Sequence, residues 1–343
     1  MGFGIRMSLV LLLLAWSFVN PQRLSGAPIS TDPAVIEAAK KEGQVSWYFN
    51  WTLPSGKAVA DRFQEHFPYL QVNLMRNSAT ALANRLVTEA RARRREVDVI
   101  LISDPFWPTI MDAGLVQPYC SKESGAFRPE FKDGNCLWTL LNVNTHVIAH
   151  NTQLVKQEEA PRNLQDLLNP KWKSKLVMDQ EDVRWFAMVL DKWGEEKGLK
   201  YMKALAAQKP GMRRGHTLIL QLVAAGEFPV NVMAYGYAVE EMKLKGAPLD
   251  WTADEPVTIQ GGVMSLTKYA PHPNAAKMFI DYAMSKEGQE AIRECCNRVP
   301  TRVDVPPNPR RLMEGLKLYP LKMELGESLN IRVQQFRSIF GTQ

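Results

Sequence analysis

The chain has 343 residues, 42 Lys and Arg against 36 Asp and Glu for a formal charge of +6, and 45% hydrophobic with 23% charged residues. That length suggests about two domains, and that composition belongs to a globular protein with a substantial core, which excludes a disordered chain. The positive excess is modest and no dense basic run is interleaved with aromatics, so nucleic acid is excluded as a partner.

In chain order, Arg6 precedes the apolar stretch 7–19, and the small residues Ser25, Gly26 and Ala27 follow. This is the layout of a secretory signal peptide. The apolar run is shorter than the ~20 residues that a bilayer requires. Residues 1–27 are therefore expected to be removed; they carry Arg6 and Arg23 and no acid, which takes the charge from +6 to +4. No cysteine lies near the cleavage region, so a freely diffusing periplasmic monomer is expected.

Thr31 and Asp32 before Pro33 signal a helix start, and the helix runs towards Gly43. Gln44 to Asn50 reads as a strand, Lys57 to Phe67 as a helix, Leu70 to Arg76 as a strand and Ala79 to Arg94 as a helix. Arg91, Arg93, Arg94 and Arg95 are read as closing that helix, where cations suit the dipole. Asp98 to Ser103 is an apolar strand with the look of burial on both faces. A helix starts at Phe106.

The cysteines are Cys120, Cys136, Cys295 and Cys296. Export to an oxidising compartment permits disulfides. A Cys120–Cys136 bridge closes a short polar loop and is the expected pairing, stabilising by ~3 kcal/mol on the chain-entropy account. Cys295 and Cys296 are adjacent at a predicted helix end, where a vicinal bridge and two thiols both stay open.

Leu137 to Asn151 is long and strand-like with Asn142, Asn144 and His146 inside it, and reads as a connection leaving the first lobe. A short helix at 164–168, a strand at 175–178, helices at 185–193, 198–207 and 218–225 and a strand at 230–234 follow. A strand at 257–266 returns the chain, and a helix occupies 274–285. Alternating strands and helices imply an α/β fold with mainly parallel sheets. In such sheets the loops at the strand carboxyl ends converge and bind ligands. That gathers Asn50, Trp51 and Thr52, then Ser78, then Ser103 and Asp104. Trp51 offers an aromatic platform or a core residue, and Asp104, Ser78 and Thr80 are also good helix caps. Downstream, Asp182, Arg184, Arg214, His216 and Thr217 are expected in loops before helices, with Arg184 and Arg214 able to clamp a carboxylate or phosphate. Tyr235 and Tyr237 share a side if the strand continues. The chain has no G-x-S-x-G elbow and no H-E-x-x-H helix, and LPSGKA lacks the rest of a phosphate loop, so no enzyme is read here.

Several stretches resemble one family: EAAKKEGQVSWY, APRNLQDLLNPKWKSKLVM, AAGEFPVNV, KLKGAPLDW and YAPHPNAAKMFIDYAMSKEGQEAI. The chain resembles type II periplasmic solute-binding proteins of ABC transporters, in the branch that holds the ferric-ion-binding proteins. The resemblance implies the α/β, two-lobed periplasmic-binding-protein type II fold with two crossing hinge strands. It places lobe one at 28–148 and 267–316 and lobe two at 149–266 and 317–343. It implies capture of a small solute in the interlobe cleft and delivery to an ABC permease of the inner membrane, without a cofactor. The alternatives are ferric transport and a periplasmic sensor subunit presenting solute to a receptor. The ferric branch uses a histidine after the first strand, a carboxylate after the third and two adjacent tyrosines in lobe two. Here Trp51 to Pro54 holds no histidine, Asp104 fills the carboxylate place, and Gly236 interrupts the tyrosines. A ferric ligand set would be limited to Asp104, Tyr235 and Tyr237, so a small organic or anionic solute is expected instead of a metal.

Overall fold

The structure, a computed structural model, describes Met1, residues 32–320, Lys322 and residues 329–342. The expected signal peptide, residues 1–27, lies outside the described residues apart from Met1.

The first half alternates strictly. Helix α1 (Pro33–Glu42) leads to β1 (Gln44–Phe49), α2 (Leu53–His66), β2 (Gln71–Arg76), α3 (Ala79–Arg91), β3 (Val99–Ser103), α4 (Trp107–Asp112) and the short β4 (Val116–Gln117). Asp32 caps α1 by accepting from the Ala34 N–H, and left-handed Gly43 ends it. Helix α2 starts earlier than its apolar spacing suggests, because Thr52 caps it and Pro54 suits its first turn. Helix α3 stops at Arg91, so Arg93, Arg94 and Arg95 lie beyond it and do not close it.

The long β5 (Thr139–Asn151) leaves this half. The second half holds β6 (Leu176–Asp179), α5 (Val183–Trp193), α6 (Glu195–Ala207), β7 (Gly211–Arg213), α7 (His216–Ala224), β8 (Val230–Tyr235), α8 (Gly236–Leu244) and β9 (Leu249–Thr252). Strand β10 (Val257–Thr267) returns, followed by α9 (Pro273–Met284), α10 (Lys286–Cys296), β11 (Val299–Pro300), β12 (Leu318–Pro320) and α11 (Leu329–Phe340).

The sheet runs β2-β1-β3-β10-β5-β8-β6-β7. Strands β2, β1 and β3 are parallel, and so are β8, β6 and β7. Between them β10 and β5 cross in opposite directions. β10 pairs with β3 through Gly262–Leu266, while β5 pairs with β10 near its start and with β8 and β9 near its end. Among the described residues, the paired crossing strands β5 and β10 thus join the two halves.

Trp47, Phe49, Phe63, Phe279 and Tyr282 fill an apolar cluster in the first half, Trp185, Phe186, Tyr201 and Phe336 fill one in the second, and a third, with Tyr48, Ile100, Val147, Val177 and Ala234, runs through both. The α11 side chain Phe336 meets Phe186 edge-on at 5.7 Å, tying the C-terminal helix to the second half. Cys120 and Cys136 form the expected disulfide, whereas Cys295 is an exposed thiol and Cys296 a buried one.

Candidate functional site

Polar residues inside β5 and β10 form a floor between the halves. Cross-strand partners project from the same face of a sheet. Asn142 lies opposite Gly262 and Asn144 opposite Gln260, and His146 Nδ1 lies 3.0 Å from Thr258 Oγ1. Two-residue periodicity puts Asn142, Asn144 and His146 on one face. Side chains close over Gly262, where a Cβ would sit 2.7 Å from Asn142 Oδ1 and 3.5 Å from Trp51 Nε1. That close approach brings Trp51 to the floor.

One wall comes from the first half. Asn50 Nδ2 donates to Ser103 Oγ at 2.7 Å, joining the loops after β1 and β3 as their strand order demands. Trp51 is buried, its carbonyl accepts from Arg76 Nε at 3.1 Å, and it meets Trp47 edge-on. Asp104 is buried, but it is not a helix cap. Its Oδ2 accepts from the Gly261 N–H at 2.7 Å, fixing the turn after β3 to the crossing strand. Burial pushes the Asp104 carboxyl up to about 7, against the opposing pull of the Gly261 N–H and the Arg184 charge.

The other wall comes from the second half. Arg184 and His216 are not in loops; they belong to the first turns of α5 and α7. Arg184 lies over the Phe106 ring at 4.7 Å, a contact between the two walls. Burial lowers its pKa, offset by Asp104 and Tyr235, and an arginine stays cationic under such shifts. His216 Nε2 is 3.4 Å from Asp182 Oδ1, and its ring is 4.6 Å from Tyr235. Burial raises the pKa of Asp182, with the Asp179 charge adding to it, and burial lowers that of His216.

Strand β8 does not continue past Tyr235; Gly236 opens α8 instead. Tyr235 and Tyr237 nevertheless stack, with centroids 6.0 Å apart. Tyr235 Oη accepts from Gln260 Nε2 at 2.9 Å, and burial raises the phenol pKa. A Cβ at Gly236 would sit 2.6 Å from Thr145 Oγ1 and 3.0 Å from Leu312 Cδ2, so these side chains would have to shift for any larger residue.

Sequence reasoning missed Arg298. Asn297 ends α10 in the left-handed region, and β11 then pairs with β5 at Val143 and Asn142. Between them Arg298 is carried to the mouth of the floor. Its guanidinium lies 5.5 Å from the Trp51 ring centroid and 5.2 Å from that of Tyr237, bridging the two walls. Its Nε is buried without a partner. Among the described residues neither Arg184 nor Arg298 has a hydrogen-bond or ion-pair partner. Arg298 has no motif around it, and only the path of the chain after α10 reveals it.

Other candidates stand apart. Thr52 and Ser78 are exposed caps for α2 and α3. Arg214 is exposed and pairs with Glu181 at 2.9 Å. Thr217 is exposed on the first turn of α7. Among the described residues, no three His, Cys, Asp or Glu side chains are grouped to hold a metal ion.

The family described as bacterial extracellular solute-binding protein matches residues 95–322. The Fe(3+)-binding periplasmic protein of Serratia marcescens is 23% identical over 273 residues, 76% of this chain and 75% of that one. A putative 2-aminoethylphosphonate-binding periplasmic protein of Salmonella typhimurium is 25% identical over 237 residues, 65% of this chain and 68% of its own length. Among solved structures, the periplasmic binding protein AfuA from Actinobacillus pleuropneumoniae, with exogenous fructose-6-phosphate bound, superposes with a TM-score of 0.71 at 22% identity. The alignment covers 88% of this chain and 100% of AfuA. The three are named for different ligands, and the superposition on AfuA shows the shared fold.

Proposed function

This chain belongs to the bacterial extracellular solute-binding proteins, and from that premise we propose that it captures a small anionic solute between two lobes and delivers it to the permease of an ABC importer. It acts as a periplasmic monomer once residues 1–27 are removed. In this reading the lobes are 28–148 with 267–316, and 149–266 with 317–343. It performs no chemistry on its cargo.

The observation that carries the reading is the pair Arg184 and Arg298. Each lies against aromatic rings, and neither has a carboxylate or carbonyl partner. Aromatic faces hold a guanidinium in place without consuming its N–H donors. Both forks therefore remain free for an anion, and a charge-assisted bond of that kind contributes about 1.5–3 kcal/mol. Solute bound between walls of different lobes favours the closed form through its extra contacts, which is a population shift.

The ferric alternative fits less well. Iron bound by a tyrosine pair needs two adjacent phenols, yet the pair is interrupted at Gly236, where a Cβ would already sit 2.6 Å from Thr145 Oγ1. Two arginines beside the cleft also oppose a trivalent cation.

The test is a thermal-shift screen of phosphorylated, phosphonylated and carboxylated solutes, followed by calorimetric titration of Arg298→Ala. At least one anion is expected to stabilise the native protein, with affinity falling more than tenfold in the variant. Stabilisation by ferric citrate alone, or an unchanged affinity in Arg298→Ala, would overturn the reading.

A further inference from the structure

We infer that the solute is a polyhydroxylated anion, with its acidic group at Arg184 and Arg298 and a row of hydroxyls along the floor of the cleft. This inference rests on the anion-binding reading above and narrows it.

The buried hydrogen-bonding groups of the walls and floor that lack partners carry the inference. The side-chain oxygens of Asn50, Asn142 and Asn144 are buried without a hydrogen bond, one on the first wall and two on the floor. One side of the Asn50 amide is taken by Ser103 Oγ, whereas an unengaged asparagine amide presents an acceptor and a donor side by side, whichever way it is turned. Asp104 Oδ1 and Asp182 Oδ2 are likewise buried and unpartnered on opposite walls, each residue at most 4% exposed. Burial favours the neutral carboxyl at both, and a neutral carboxyl also donates through one oxygen and accepts through the other. His146 Nε2 and His216 Nδ1 add two imidazole nitrogens of the same dual character, on rings that burial keeps neutral. Leaving such groups unpaired in a closed cleft is costly, so the ligand that closes it must satisfy them.

Ligand chemistries differ in what they supply. A bare oxyanion offers acceptors only. An ammonium offers donors only, and concentrates them at one point, whereas the unpartnered groups are spread over both walls and the floor. An alkyl chain offers neither. A hydroxyl both donates and accepts, which matches an amide, a neutral carboxyl or a neutral imidazole equally well. Several hydroxyls along a short carbon chain reach groups that are several ångströms apart. The floor also places its amides on alternate residues of β5, Asn142 and Asn144, so that they repeat along one face.

The experiment is calorimetric titration of the full-length secreted protein, stripped of bound solute, with four matched probes. Sorbitol 6-phosphate supplies the anion and the hydroxyls. Hexyl phosphate keeps the anion and the length but has no hydroxyl. Inorganic phosphate has the anion alone, and 2-aminoethylphosphonate has an anion with an ammonium. Sorbitol 6-phosphate is expected to bind at least about a hundredfold more tightly than each of the others, since a site built to hydrogen-bond hydroxyls rejects analogues without them. Asn144→Ala, or Asn50→Ala if the floor variant does not fold, is expected to weaken sorbitol 6-phosphate about tenfold or more. Equal binding of sorbitol 6-phosphate and hexyl phosphate, or tightest binding of 2-aminoethylphosphonate, overturns the hydroxyl inference while the anion-binding reading stands. Failure of all four probes to bind, alongside binding of a cationic or ferric probe, overturns both.

Discussion

Asp104 offers a test of whether the two crossing strands close down on the first wall as described. Its carboxyl is buried with one oxygen on the Gly261 N–H and the other unpartnered, and its pKa rises from 3.8 to about 7. The folded protein therefore keeps its proton up to about pH 7, while the unfolded chain gives it up near 3.8. Inside that window the unfolded state binds fewer protons, so stability falls as pH rises. At 1.36 kcal/mol per unit, the full difference is about 4 kcal/mol, and more than half of it is lost between pH 5 and pH 8. Asp104→Asn keeps an oxygen for Gly261 and removes the titration. Urea unfolding of both proteins at pH 5 and pH 8 isolates the effect, because every other ionisable group is common to both. The native protein is expected to lose about 2–3 kcal/mol more than the variant over that interval. Parallel pH dependence in the two proteins would refute the burial argument, and so would a steeper loss in the variant.

Three further outcomes follow from the packing. Gly236→Ala puts a Cβ 2.6 Å from Thr145 Oγ1 and is expected to cost about 1–3 kcal/mol in urea unfolding, with part recovered in a Thr145→Ala background. Replacing Cys120 and Cys136 by serine opens a loop with a sequence separation of 16 and is expected to cost about 3 kcal/mol in thermal unfolding; an unchanged midpoint would show that the bridge adds no restraint. Protein mixed with ferric citrate is expected to stay colourless, and a visible band that disappears in Tyr237→Phe would establish a tyrosinate–iron site.

The layers of the fold were legible because local chemistry and tertiary structure agree. The alternation from Pro33 to Asp112 follows strand and helix periods directly, and caps such as Asp32 and Ser78 mark the helix starts. The polar residues inside 137–151 mark a strand that leaves the first half, and β5 does so, with Asn142 opposite Gly262 and Asn144 opposite Gln260 on β10. Convergence of the loops after β1 and β3 followed from the parallel-sheet rule and is realised in the Asn50–Ser103 bond. What failed was local detail that depends on distant partners. Asp104 before a proline reads as a cap, yet the backbone of Gly261, 157 residues away, claims its carboxylate. Arg184 and Arg214 look alike in sequence; one lies over Phe106 in the cleft, and the other is a solvent-side ion pair. Arg298 has no distinguishing neighbours, because its place is set by the Asn297 turn and by the pairing of β11 with β5.

The central claim is that two unpaired arginines on aromatic rings hold an anionic solute. Native mass spectrometry of protein taken from the periplasm without refolding tests it most directly, comparing the natural sequence with an Arg184→Ala, Arg298→Ala double variant. The account predicts a small adduct, anionic when released, on the natural protein and its absence from the double variant. An iron adduct on the natural protein, or the same organic adduct retained by the double variant, would contradict it.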